Sequence, residues 1–259
     1  MPSDAHAHLA DDRLWPNLTD ILHEAAANGL ELILAAAAER RDWARLLSLA
    51  PACDGVALPI ALGIHPWHCE DWNDDAATAL RRLARDGRLA AIGEIGLDFQ
   101  NGRDNASIQL AVLADQLQIA TDCHLPVVLH VRKAWPDFFA LLKRLRLPRL
   151  AGLCHNFSGS REIARAALAA GLSLSFGGPL TRPNARRQRE AAALAPADRL
   201  LIESDAPDCA IAARNGSPGH PADILATAVE LARLRDTTPD TLLDLTTANL
   251  RSLLAMDRI

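Results

Sequence analysis

His6 and His8 stand two residues apart in Asp4-Ala5-His6-Ala7-His8-Leu9, and a strand that alternates its faces aims both imidazoles the same way. Such a pair suits either a divalent cation or a hydrogen-bonded structural pair. Glu94, His130, His155 and Asp205 follow along the chain, each at or just past the end of a short apolar run. Four imidazoles and two carboxylates gathered at one place would be costly without a cation, because buried carboxylates and facing imidazoles need partners. Six protein ligands exceed what one tetrahedral zinc with an open position accepts, so the set suits two divalent ions sharing a carboxylate. The His/carboxylate mixture favours zinc, manganese or cobalt over magnesium, which prefers oxygen ligands. The chemistry expected of such a centre is hydrolysis by a water that the paired ions activate.

Other residues stand nearer the margin. His65, in Gly63-Ile64-His65-Pro66, ends a strand and either touches substrate at the same rim or packs structurally. Arg132, two beyond His130, either presents its fork to a phosphate or forms a salt bridge at the rim. His68 and Cys69 lack convergent partners in the sequence, and His23, His124 and His220 read as surface or capping residues. Arg182, Arg186, Arg187 and Arg189 read as a solvated helix start, although such a cluster could also follow a nucleic-acid backbone. Asn249 would reach the rim only if the last helix folded back.

Positioning these groups requires strands that end at one face, and the chain supplies a regular alternation. Strand-type runs at Asp4–Leu9, Leu30–Ala37, Val56–Ile64, Leu89–Ile95, Val127–His130, Leu150–Asn156, Leu172–Phe176 and Leu200–Glu203 alternate with helical stretches rich in Ala, Leu and Arg. Asn28-Gly29, Gly87 and Gly171 mark helix stops, while Pro51 and Pro126 mark the ends of others. Eight strand–helix units predict a (β/α)8 barrel with an additional C-terminal helix near Pro239–Leu254, rather than an open doubly wound sheet, whose Gly-x-Gly-x-x-Gly turn is absent. Reacting groups in such a barrel lie at the carboxyl ends of the strands, where all six candidates fall. No Gly/Ser/Pro-rich linker divides the chain, so residues 1–259 are expected to form a single domain.

Composition narrows the function. At 49% hydrophobic and 23% charged, the 259 residues exclude collagen-like and disordered readings. No apolar run approaches a membrane span, and Met1-Pro2-Ser3-Asp4 lacks the basic start of a secretory signal, so a cytoplasmic address is the default. Five scattered cysteines without a Cys-x-x-Cys spacing read as reduced thiols. A net charge of −5 argues against coating long nucleic acid but permits binding one strand end. Nothing specifies an oligomer, and a monomer is the default expectation.

In order along the chain, Asp4-Ala5-His6-Ala7-His8, Gly63-Ile64-His65-Pro66, Gly93-Glu94-Ile95-Gly96-Leu97-Asp98, Pro126-Val127-Val128-Leu129-His130-Val131-Arg132, His155-Asn156-Phe157-Ser158-Gly159 and Leu201-Ile202-Glu203-Ser204-Asp205-Ala206-Pro207 resemble the motifs of the TatD family of metal-dependent deoxyribonucleases, within the amidohydrolase-like barrel superfamily. The resemblance runs nearly the whole chain. It implies that His6, His8, Glu94 and Asp205 hold one ion, and that the shared Glu94 holds the other with His130 and His155. Magnesium also stays open by this resemblance. The departures are Asn156 where Cys is common, Ser204 where Thr is common, and Arg214-Asn215-Gly216-Ser217-Pro218 where Arg-Asn-Glu-Pro is frequent; they bear on substrate choice more than on metal binding.

The expected reaction is phosphodiester hydrolysis from the 3′ end of single-stranded DNA. Asp205 would orient the water and take its proton, Glu94 would set the ion spacing, and His65 and Arg132 would touch the phosphate. A competing reading on the same barrel is an amidohydrolase or esterase acting on a cyclic amide, a lactone or an aminoacyl-tRNA ester. Much of that superfamily bridges its metals with a carboxylated Lys, and here Glu94 fills the place. A competitor of another class is a non-catalytic protein that binds nucleic acid or assists export, against which the complete ligand set argues.

Overall fold

The computed structural model describes residues 1–147 and 149–256. The strands are β1 (Ser3–Ala7), β2 (Leu32–Ala36), β3 (Ala52–Cys53), β4 (Val56–Ala57), β5 (Ile60–Leu62), β6 (Ala91–Asp98), β7 (Val127–Arg132), β8 (Gly152–Cys154), β9 (Leu172–Phe176) and β10 (Leu200–Ile202). The helices are α1 (Leu18–Ala27), α2 (Asp42–Ser48), α3 (Asp74–Arg85), α4 (Ala106–Asp122), α5 (Trp135–Arg144), α6 (Arg161–Ala169), α7 (Arg186–Leu194), α8 (Ile224–Arg235) and α9 (Pro239–Leu253). Pairing runs in parallel from β1 through β2, β5, β6, β7, β8, β9 and β10. Just beyond β10 the ring closes: Asp205 N–H donates to His6 O at 2.9 Å and His8 N–H to Ala206 O at 2.7 Å. This is a (β/α)8 barrel with an extra C-terminal helix.

Strands buried on both faces need apolar side chains throughout, as in the Leu-Ile-Leu-Ala-Ala of β2. Inside the ring, Ala5, Leu34, Ala61, Val128, Leu153 and Leu201 pack together with Leu250 and Leu254, so α9 and the turn after it close the amino-terminal end of the barrel. Asn249 lies there too, donating to Ala197 O and Leu200 O, at the end of the barrel opposite the rim it was a candidate for. The outer core lies between the strands and the helix ring. The helices start where sequence chemistry starts them: Asn73 accepts from Ala76 N–H, Ser160 from Ile163 N–H, and Thr238, with Pro239 behind it, from Thr241 N–H.

The expected strand Val56–Ile64 is broken into β4 and β5, because Pro59 has no amide hydrogen to continue a ladder. In its place β3 and β4 form a small antiparallel hairpin, with β4 docked beside β2. The expected strand Leu89–Ile95 instead spans Ala91–Asp98, so Glu94 sits within it rather than near its end. No helix among the described residues is long and apolar enough to cross a membrane.

Candidate metal centre

Plain alternation along β1 and β6 would not put every candidate side chain into the barrel mouth. Each strand breaks register once, β1 between Asp4 and Ala7 and β6 between Ile92 and Ile95. Ala5 and Ala91 face the interior, while Ala7, Leu9, Ile95 and Leu97 join the outer core. The extra residue in each strand therefore re-phases the side chains, turning His6 and His8 inward on β1 and Glu94 and Asp98 inward on β6. β7 needs no such break: Val128 is interior, so His130 and Arg132 follow on the same face. His155 follows β8 directly, and Asp205 lies just past β10 with φ +55°.

The six residues converge. Glu94 Oε1 lies 2.7 Å from His155 Nε2 and 2.9 Å from His130 Nδ1. Its other oxygen lies 3.2 Å from both His6 Nε2 and His8 Nε2. Asp205 Oδ1 stands 3.5 Å from His6 Nε2 and 3.6 Å from His8 Nε2. Yet both Glu94 oxygens, fully enclosed, accept no hydrogen bond from the described residues, close though the ring nitrogens stand. His6 Nε2 and His8 Nε2 also face each other at 3.2 Å. Ligand atoms thus converge in three overlapping groups, His6 with His8 and Asp205, His6 with Glu94 and His155, and His65 with Glu94 and His130, an arrangement that divalent cations would satisfy. The donor set of nitrogens and carboxylate oxygens suits zinc or manganese.

Partners on the far side of the rings fix their orientation. His130 Nε2 lies 3.0 Å from Asp98 Oδ2, leaving Nδ1 for the centre. His8 Nδ1 lies 3.2 Å from Ala36 O, whereas the buried His155 Nδ1 makes no hydrogen bond among the described residues, Glu203 standing 3.6 Å away. Burial opposes ionisation of Asp98, but the bonds from His130, from Gln100 N–H and from the Trp67 indole outweigh it and push the carboxyl down to about 2. At Glu94 burial is likewise outweighed, here by His155, His65 and His6, which hold the carboxyl well below the usual range.

Two glutamines on one face of α4 brace the strand ends. Gln116 accepts from Ile64 N–H at 2.8 Å and donates to Ile64 O at 3.1 Å. Gln109 treats Asp98 the same way, at 2.9 and 3.1 Å.

The second-tier candidates divide. His65 is buried against the centre, its Nε2 3.6 Å from Glu94 Oε1, and its Nδ1 accepts from Trp67 N–H. The neutral ring therefore carries its proton on Nε2, so His65 is oriented as a donor toward the centre. Arg132 is exposed at the end of β7. Arg182 donates to Ala210 O, while Arg186 and Arg189 pair with Glu190 and Glu230. His68, expected to lack convergent partners, lies within reach of Asp71 on its own helical turn and of Glu39, which comes from the segment after β2. His220 caps the short turn before α8, His23 is exposed beside Asp54, and His124 follows α4.

Sequence reasoning gave no role to Asp98, Trp67, Glu203 or Asp4, although Asp98, Glu203 and Asp4 lie within quoted motifs. Asp4 accepts from Ser204 N–H, Ser204 Oγ–H and His6 N–H, tying β1 to the segment that carries Asp205. Asn156 donates to Cys209 Sγ at 2.8 Å beside Asp205, so this chain places a thiol opposite the position where Cys is common in the motif.

The family described as TatD related DNase matches residues 3–255. "Uncharacterized metal-dependent hydrolase YabD" of Bacillus subtilis (strain 168) is 30% identical over 250 residues, covering 96% of this chain and 97% of that protein. "3'-5' ssDNA/RNA exonuclease TatD" of Pantoea sp. (strain At-9b) is 38% identical over 187 residues, 71% of this chain and 70% of that protein. The crystal structure of YjjV, a TatD homologue from Escherichia coli K12, superposes with a TM-score of 0.89 at 32% identity, covering 97% of this chain and 96% of that one.

Proposed function

Because the chain belongs to the TatD-related family of metal-dependent hydrolases, we propose that it cleaves phosphodiester bonds, acting as a deoxyribonuclease from the 3′ end of single-stranded DNA. The observation that carries this reading is Glu94, whose two buried oxygens each face a separate set of imidazole nitrogens without accepting a hydrogen bond. Two divalent ions held there, zinc, manganese or magnesium, would lower the pKa of a water toward neutrality and offset the negative charge that builds on phosphate oxygens during in-line attack.

The remaining roles fall to this chain's own side chains. Glu94 sets the separation of the two ligand groups, His6, His8 and Asp205 on one side and His130 and His155 on the other. Asp205, with one oxygen toward the imidazoles and the other beside the Asn156 amide, orients the attacking water and accepts its proton. His65 donates from Nε2 to a phosphate oxygen. Arg132, exposed on the same face of β7 as His130, extends a charged fork to the phosphate or to its neighbour along the strand. The name carried by the Pantoea relative supports a single-stranded nucleic-acid substrate. The net charge of −5 supports engagement of one strand end rather than a coated duplex. We extend the reading to one domain over residues 1–259 and a monomer in the reducing cytoplasm, which the scattered cysteines support.

The test uses metal-stripped protein on 5′-labelled single-stranded DNA, followed in time with no metal or with added manganese, magnesium or zinc, alongside Asp205→Asn. Stepwise shortening that needs both metal and Asp205 is expected. No cleavage with any ion while the protein binds two metals would shift the reading to an ester or amide substrate at the same rim.

A further inference from the structure

Trp67 is 62% exposed, although it sits directly beside the buried metal centre. A large aromatic left in water at such a place calls for an explanation, since most of its area could have been buried within the barrel rim. Its ring is nevertheless not free to turn: the indole N–H donates to Asp98 Oδ2 at 3.0 Å, the same oxygen that lies 3.0 Å from His130 Nε2. The ring also meets His65 edge-on, with centroids 4.9 Å apart. The indole ring is thus held at a set distance from the imidazoles of His65 and His130.

Beside it opens a cleft of about 480 Å³ lined by Trp67, Asp98, Asn101, Gly102, Asp104 and Asn105. That volume suits a small organic group rather than a chain of residues. Its polar lining is amide and carboxylate, and Arg103, next to Gly102 and Asp104 in sequence, is committed to Asp137 at 2.6 Å and to the face of Phe99. Such a lining repels phosphate but matches the donor and acceptor edges of a base.

We propose that Trp67 is the stacking platform for a nucleobase at the 3′ end of the strand. The base lies on the indole with its edge toward Asn101 and Asp104, while its phosphodiester reaches the centre. This rests on the phosphodiesterase reading and adds the requirement for a base. A flat aromatic face stacks any base, so the platform recognises a single-stranded end without selecting sequence. It also explains why a rim aromatic is tied to Asp98: the bond that orients His130 orients the platform too, fixing base and scissile phosphate in one frame.

The experiment compares the manganese-loaded wild type, Trp67→Ala and Trp67→Phe on two sets of single-stranded oligonucleotides. One set has intact 3′ ends; the other carries an abasic tetrahydrofuran residue at either of the two terminal positions. Bound metal is measured in every sample. The wild type should prefer the intact end, and Trp67→Ala should lower kcat/KM on it by about tenfold or more. The loss should shrink on an abasic end, and Trp67→Phe, which keeps a flat ring but lacks the N–H to Asp98, should recover most of the activity. Equal losses on intact and abasic ends, or a Phe variant as impaired as Ala, would make Trp67 a support for Asp98 and overturn the platform. A wild type that cleaves both ends equally overturns the platform alone. A wild type that cleaves neither overturns the phosphodiesterase reading and the platform with it.

Discussion

At Glu94 one carboxylate faces five imidazoles, and the balance of protons there decides how the centre loads. Burial works against a charged His8, yet the negative charges of the nearby Glu94 and Asp205 raise it to about 9. His155, also opposed by burial, is held well above the usual range by Glu94 and Asp205. A cation needs the neutral ring's lone pair, so below the His8 value loading must displace protons, and affinity must rise with pH until that value is passed. Calorimetric titration of metal-free protein with zinc near pH 7.5, repeated in buffers of different ionisation heat, should show release of about one proton or more per chain. Binding with no proton release would contradict this assignment. The pair His6 and His8 was legible because two-residue spacing is a property of any strand. The role of Asp98 was not, since it depends on a 3.0 Å approach to a ring 32 residues away.

Among the elements, β6 concentrates the constraints. Its register break at Gly93-Glu94 changes which residues face inward, and no alternation rule applied to the sequence reveals where a strand will take an extra residue. Gly96 shows what that geometry demands: a Cβ there would come within 1.7 Å of His130 O on the neighbouring strand. Gly96→Ala should therefore cost about 3 kcal/mol or more of stability and loosen His130. Chemical denaturation of the metal-free variant against wild type reads the first effect, and a loss below 1 kcal/mol, on the order of an ordinary surface change, would contradict it. The broken strand before His65 was half legible: Pro59 marks the interruption, but the β3–β4 hairpin it permits depends on pairing with β2.

For the molecule as a whole, the eightfold alternation of strand and helix was legible because each unit carries its own periodicity and stop signals. That count pointed to a closed barrel, but the bonds that close it, joining Asp205 to His6 and Ala206 to His8, were not legible, because they link segments far apart in the chain. Closure brings the first and last ligands together, and α9 then seals the opposite end with Leu250. Leu250→Ala should lose about 2–5 kcal/mol of stability, while the folded fraction still loads the same metal as wild type; a variant of unchanged stability would contradict the sealing role. The central claim is that one carboxylate organises a centre for two ions. Its most direct measurement is the metal content per chain of manganese- or zinc-saturated wild type, Glu94→Gln and His6→Ala after removal of free metal. Two equivalents in the wild type and one or none in each variant is the predicted result; two equivalents retained in both variants would contradict it.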